Sequence, residues 1–302
     1  MDNIAPTLTI LGTAQDGGVP QAGCGCSNCI AAFENSQRAR FPVSLGISDN
    51  EGGMHLIEAT RALPEQLKIW ANACGLDSPV RPDSVLLTHA HLGHIEGIGQ
   101  FGKEAMGCQN LRLVASDSVI SILQKRNLMH PFVRADYTSE GKPNLEQGGV
   151  RFDFIPVPHR DDTSDTHAIL ISGEKKRVLF LPDHDDWEQT LESVGYSNPN
   201  DWFQALGATH VLLDATFWNG DELSGRDMTE VPHPTVEDTL ERVRNGALGG
   251  PEIILIHLNH TNPLNNPDSP QSRLIGVAGH SIGRRGWRID SVSYTHLRAH
   301  ET

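Results

Sequence analysis

The apolar stretch Ser84-Val85-Leu86-Leu87-Thr88 runs without a break into His89-Ala90-His91-Leu92-Gly93-His94. Residues 84–88 predict a buried strand, and the segment after the cluster predicts a helix from Ile95 onward. Three imidazoles therefore fall within six residues at a strand end, the place where open α/β sheets bind ligands. Imidazole nitrogen suits Zn2+ or Fe2+. An isolated histidine usually only caps or solvates a loop, but three at this spacing point to a metal.

The surrounding pattern supplies such a sheet. Short apolar runs that predict buried strands recur at 8–11, 55–58, 84–88, 111–114, 152–157, 168–172, 178–181, 210–213 and 253–257. Amphipathic helical stretches lie between them, most clearly at 63–74, 117–126 and 235–245, the last with Val236, Leu240 and Val243 on one face. This interleaving predicts an α/β layer architecture, with an antiparallel run near 152–181. Residues 219–234, with Gly220, Gly225, Pro232 and Pro234, form the longest expected loop and a candidate wall of the site.

Charge and composition narrow the partners. With 24 Lys and Arg against 38 Asp and Glu, the formal charge of −14 argues against nucleic acid and anionic membranes as partners and leaves a small molecule as the expected substrate. No apolar run approaches the roughly 20 residues of a membrane span, and the N-terminal residues lack a signal-peptide pattern, so a cytoplasmic location is expected. Composition leaves the oligomeric state open. A single domain is expected over residues 1–290. Residues 291–302, including His296 and His300, resemble a translated adapter sequence and are expected to form a non-native tail.

Three of five cysteines crowd into Cys24-Gly25-Cys26-Ser27-Asn28-Cys29. Thiols this close are ill placed for pairwise bridges and suit a closed structural zinc site, which needs a fourth ligand. A cluster of reduced free thiols is the simpler alternative. Cys74 and Cys108 stand alone in helical contexts and read as small core residues.

The segment 89–94 resembles the His-x-His-x-Asp-His signature of the metallo-β-lactamase superfamily, and downstream partners occur in that superfamily's order over residues 7–289. The resemblance implies an αββα sandwich with one or two metals at one edge. It implies His89, His91 and His159 as ligands of a first metal, Asp183 as a carboxylate bridging two metals, and His94 and His257 as ligands of a second. Glu58 matches an acid that orients the histidine loop. Gly93 departs from the pattern, because the superfamily's hydrolases usually carry an Asp ligand there. Glycine offers no donor, and Glu96, two positions from His94, faces another direction, so the second site is expected to be weakened.

The stretch Leu11-Gly12-Thr13-Ala14-Gln15-Asp16-Gly17-Gly18-Val19-Pro20-Gln21 and the cysteine motif resemble two groups, the phosphonate-pathway cyclic phosphodiesterases and the pyrroloquinoline quinone biosynthesis protein B group. In the former a structural zinc is completed by a histidine three positions after the last active-site histidine, which implies His260 as partner of Cys24, Cys26 and Cys29. Asn262-Pro263 is similar to an element of the quinone group.

The chemistry implied is hydrolysis of an ester-like bond, phosphodiester or lactone, by hydroxide from a metal that lowers the pKa of its water from about 16 to about 7. Zinc is the expected metal, with iron or manganese as alternatives. Asp183 would orient the nucleophile, and His233 or His184 would serve as general acid. Asp214 either lines the pocket or caps its loop, and Asp161, Asp162 and Asp165 read as turn residues. His55, His130, His167, His210 and His280 read as structural. Two other functions stay open: an iron-dependent oxygenase of the quinone-biosynthesis type, and a non-catalytic small-molecule carrier.

Overall fold

In the computed structural model of the chain, residues 6–134, 142–160, 162–223, 228, 231–244 and 250–290 are described. Apolar residues alternate between two buried faces along the strands. In β10 (Arg177–Leu181) Val178 and Phe180 join one core, while Leu179 and Leu181 join another. In β12 (Glu252–Ile256) Ile254 and Ile256 point one way and Ile253 and Leu255 the other. Continuous apolar runs of this kind are what a strand covered on both faces requires.

Two seven-stranded sheets result. The first contains β1 (Thr7–Gly12), β2 (Ser44–Ser48), β3 (Met54–Ile57), β4 (Ser84–Leu86), β5 (Leu111–Val114) and β6 (Phe132–Arg134), in that order. Its β3 to β6 are parallel, and β14 (Arg288–Asp290) lies antiparallel to β1. The second runs from β7 (Asn144–Gln147) through β8 (Val150–Val157), β9 (Thr166–Ser172), β10, β11 (His210–Asp214) and β12 to β13 (Ser281–Ile282). It is antiparallel from β7 to β10 and parallel from β10 to β13.

One core lies between the sheets, with Ile10, Leu45, Ile57 and Leu86 meeting Phe152, Ile169, Phe180 and Ile254. Helices cover both outer faces. On the first sheet α2 (Leu63–Ala73) and α4 (Asp117–Lys125) bury Leu67, Trp70, Val119 and Leu123. On the second, α5 (Trp187–Val194), α6 (Pro199–Ala205), α7 (Val236–Arg244) and α8 (Pro270–Val277) bury Trp187, Trp202, Phe203, Val236 and Ile275. The layers are the αββα sandwich that the sequence resemblance implied. None of the described helices is long and apolar enough to cross a membrane.

Two expectations change. The helix after the histidine cluster does not run on from Ile95: a single turn, α3 (Leu92–Ile95), ends there and a 3-10 turn follows at Ile98–Phe101. Strands β2, β6, β7 and β13 and helices α5, α6 and α8 come in addition to the expected elements, as does α1 (Ser27–Glu34). Of the long loop, residues 224–227, 229 and 230, among them Gly225, lie outside the described residues, as do Asp161 and the expected tail.

A buried polar relay ties the first sheet together. The Asp49 carboxylate accepts from the backbone N–H groups of Glu51 (2.8 Å) and Gly53 (2.7 Å), and from His55 Nε2 at 3.0 Å. His55 Nδ1 lies 2.8 Å from Ser84 Oγ, so the ring bridges β3 and β4. Asp49 and His55 are both fully buried. Burial pushes the Asp49 carboxyl up, but His55 and the N–H groups of Gly53 and Glu51 outweigh it and hold the group below the usual carboxylate value. Its stabilising contribution is therefore present above about pH 4, the value of an unfolded carboxyl, and is lost as pH falls through the lower folded value. Asp49→Ala, which leaves His55 buried without its acceptor, is expected to cost about 3 kcal/mol in urea denaturation at pH 7. The difference from wild type should shrink in acid. A loss below about 0.5 kcal/mol, the scale of an ordinary surface substitution, would contradict this role.

Candidate metal centre

Strand ends from both sheets deliver polar residues to one edge of the sandwich. Thr88 and His89 follow β4, His159 follows β8, Asp183 follows β10, Asp214 ends β11 and His257 follows β12. Glu58 and His257, each the first residue after its strand, have φ of 63° and 60°. Left-handed backbone is uncommon for such residues and costs about 1–3 kcal/mol, and it gathers at functional sites. Here it turns each side chain back toward the edge.

The Asp183 carboxylate lies in the middle. His94 Nε2 stands 3.2 Å from one oxygen, and His257 Nε2 (3.4 Å) and His159 Nε2 (3.6 Å) stand near the other. The His89 ring lies 4.5 Å from that of His91, 4.1 Å from that of His94 and 5.5 Å from that of His159. All but His91 are buried. Burial raises the Asp183 carboxyl, but His257 and His94 prevail and hold it well below the carboxylate range. Burial, reinforced by His94, holds His89 well below the imidazole range, leaving its lone pair free.

Two of the imidazoles are oriented by a hydrogen bond at the other nitrogen, and two have a carboxylate beside it. His89 Nδ1 meets Thr88 Oγ1 at 2.8 Å, and His257 Nδ1 meets Thr216 Oγ1 at 2.8 Å. His159 Nδ1 stands 3.2 Å from Asp185, and His94 Nδ1 stands 3.5 Å from Glu58, which also accepts from Thr88 N. Such outer contacts fix which nitrogen faces inward. Among the described residues, His89 Nε2, His257 Nε2 and Asp183 Oδ2 are buried with no hydrogen-bond partner. Buried polar atoms are rarely left so, and lone pairs converging on one space are the chemistry of a cation site. His89, His91 and His159 form one group able to hold a metal, and His89, His94 and Asp183 another.

Sequence reasoning missed Asp16. It lies in a turn after β1, its Oδ1 3.5 Å from His94 Nε2 and 3.8 Å from His257 Nε2. Burial pushes its carboxyl up, yet His257 and His94 hold it well below the usual range. Glu96 is exposed. The signal available was the departure at Gly93 itself, since a missing carboxylate invites a search for one elsewhere.

His233 also reaches the centre. Its Nδ1 lies 2.7 Å from Asp214 and 3.9 Å from Asp183, and its ring is 5.1 Å from that of His159. Asp214 both lines the site and caps its own loop, because its other oxygen accepts from Thr216 N (2.9 Å) and Oγ1 (2.7 Å). Burial lowers the His233 pKa, but Asp214 overcomes this and the net effect is upward. His184 is a poor general acid by comparison. It packs on Trp187, bonds Thr190 Oγ1 at 2.9 Å, and burial pulls its pKa down to about 4. Asp162 approaches His91 at 3.4 Å, whereas Asp165 bonds Ser116 and Ser118 at the start of α4.

The cysteines form a second centre. Cys26 caps α1 and Cys29 lies one turn inside it, which brings their sulfurs together. Cys24 Sγ and Cys26 Sγ stand 3.2 and 3.5 Å from His260 Nδ1. A tetrahedral zinc would hold sulfur and nitrogen about 3.5 Å apart. Burial pushes the Cys29 thiol up to about 12, with the crowding of Cys26 and Cys24 adding to it. A cation would relieve that crowding, and the four residues form a group able to hold one. Cys74 and Cys108 pack at the margin of the first sheet's outer core.

A sandwich of two mixed sheets with imidazoles and carboxylates at one edge is the metallo-β-lactamase fold. The chain belongs to the beta-lactamase superfamily: residues 56–258 match the family model described as "Beta-lactamase superfamily domain". It is similar to "Coenzyme PQQ synthesis protein B" of Ruegeria pomeroyi, 26% identical over 305 residues that cover 93% of this chain and 96% of that one. The protein of the same name from Klebsiella pneumoniae is 24% identical, covering 93% and 97%. Among solved structures, Zn(2+)-bound PqqB from Methylobacterium extorquens superposes with a TM-score of 0.75 at 19% identity, covering 94% of this chain and 99% of that chain. A diphosphatase from the PhnP family gives 0.64 at 20% identity, covering 95% and 97%. Protein purified without added metal is expected to keep one metal equivalent through EDTA treatment, and Cys26→Ser to lose it while lowering Tm by roughly 5 °C or more. An equivalent that survives EDTA in Cys26→Ser would place the resistant metal elsewhere.

Proposed function

We propose that the chain is a metal-dependent hydrolase of an ester-like bond, a phosphodiester or a lactone, in a small-molecule substrate. The observation that carries this reading is His233, held by Asp214 at 2.7 Å and set beside Asp183 and His159. An imidazole so placed is a proton donor next to a cluster of metal donors. His89, His91, His159 and Asp183 would hold a first divalent cation, and His94, His257 and Asp183 belong to a second position. Zinc is the best match to the thiolate centre and to the imidazoles, with iron or manganese as alternatives at the imidazoles. A divalent cation bound there acidifies water to supply hydroxide at neutral pH and stabilises negative charge on the substrate oxygen.

The chain's own residues do the rest. Asp183, unable to protonate at neutral pH, accepts a hydrogen bond from the attacking water and aims it. His233 Nδ1–H donates to Asp214, which fixes the ring and favours its charged form, so the proton on Nε2 is available to the leaving group. Thr216 holds Asp214 and His257 together, coupling the acid to the cation site. Glu58 keeps the histidine loop in register with β3.

A second reading, a role in coenzyme PQQ synthesis with iron-dependent oxidation, is favoured by the near full-length match to proteins of that name. The two separate on substrates. Under the hydrolase reading, His89→Ala abolishes turnover of bis(p-nitrophenyl) phosphate or simple lactones. His233→Asn lowers kcat/KM on alkyl esters by about 10²–10⁴-fold. Esters of p-nitrophenol, which leave without a proton, suffer far less. Equal losses on both substrate types would remove His233 as the acid. A single redox-active iron with no hydrolysis would favour the second reading.

A further inference from the structure

Gly93 stands where the superfamily's hydrolases usually place a carboxylate, yet the space is filled. A Cβ built on Gly93 would lie 2.2 Å from Asp16 Oδ1, 2.4 Å from its Cγ and 2.6 Å from its Cα. Two of these contacts involve the carboxylate and one the backbone, so no rotamer change at Asp16 relieves them all. The glycine is the seat of the Asp16 side chain.

From that seat the carboxylate faces His94 Nε2 at 3.5 Å and His257 Nε2 at 3.8 Å. One donor atom from each of the three lies within 4.8 Å of the others, a spacing a cation can bridge. Asp183 flanks the group, one carboxylate oxygen 3.2 Å from His94 and the other 3.4 Å from His257. His257 Nε2 and Asp183 Oδ2 are buried without partners there.

The backbone of Asp16 is firmly held. Gln15 N donates to Leu258 O (3.0 Å) and Gly18 N to Gln15 O (2.8 Å), so Asp16 occupies a turn clamped to the residue after His257. Asn28 Nδ2 donates to His260 O (2.9 Å) and Asn262 O (3.1 Å), joining the same two segments a second time. The Cys24, Cys26, Cys29 and His260 cluster joins them a third time. Both Asp16 and His257 thus belong to segments that the thiolate centre staples together.

We propose that Asp16 is the carboxylate ligand of the second metal position, completing a set with His94, His257 and Asp183, and that Gly93 is glycine because Asp16 takes the place of its side chain. The second position is then a full four-donor site whose acid comes from the N-terminal loop. This holds whatever reaction the centre performs.

The test counts metals in the full-length protein by equilibrium dialysis against Zn2+ or Co2+ with elemental analysis. Wild type is expected to bind two equivalents besides that of the thiolate centre. Asp16→Asn, which keeps the shape and removes the charge, should weaken one of them at least about 10-fold and leave the others intact. Gly93→Ala should do the same without deleting any donor. The exchange Asp16→Gly with Gly93→Asp, which returns the carboxylate to the histidine loop, should recover the lost equivalent. If Asp16→Asn binds all equivalents with wild-type affinity, Asp16 is not a ligand. Should Gly93→Ala fail to fold, Asp16→Asn still decides the matter, because it introduces no steric change.

Discussion

Everything at the open edge of this sandwich depends on a buried carboxylate, Asp183, placed among imidazole nitrogens without enough protons to go round. His89, His257 and Asp183 each keep a buried polar atom unbonded. An unbonded buried polar group costs roughly 2–7 kcal/mol relative to water. A fold that concentrates several of them in one place presents a donor set that a shared cation would satisfy. The outer hydrogen bonds from Thr88 and Thr216, and the carboxylates of Asp185 and Glu58 beside His159 and His94, make sense on the same basis, because they favour ring orientations in which the inner nitrogens converge.

The scaffold meets this demand through the ends of its strands. Parallel strands β3 to β6 in one sheet and β10 to β13 in the other direct their C-terminal ends to loops at which side chains from distant parts of the chain meet. Left-handed backbone at Glu58 and His257 bends two of those loops inward. The cost of such conformations is carried by the dry cores on either side, where Trp70, Trp187, Trp202 and Phe203 are fully buried. The cysteine cluster ties the first loop to the last, bringing Cys24 within 3.2 Å of His260 across 236 positions of the chain.

Much of this was legible in the sequence wherever donors lie close together along the chain. His89, His91 and His94 share one loop, and Cys24, Cys26 and Cys29 share a helix start, so spacing alone announced both. Family resemblance then supplied His159, Asp183, His257 and His260, which the strand ends bring together over large separations. Asp16 was not legible, because only the built fold shows that its carboxylate fills the space above Gly93, 77 positions away in a different element. The pairing of Asp214 with His233 was hidden for the same reason. Strand β2 escaped notice because Ser44, Gly46 and Ser48 break its apolar pattern. Gly46 is small for a packing reason, since a Cβ there would strike the Trp70 ring at 2.4 Å.

The most direct measurement of the central claim is anomalous X-ray diffraction at the zinc edge from crystals of the zinc-loaded protein. Peaks are expected on both sides of Asp183, one against His89, His91 and His159 and one against Asp16, His94 and His257, with a third among the cysteines. A map with density only at the cysteines, and with Asp183 bonded directly to protonated histidines, would contradict the account.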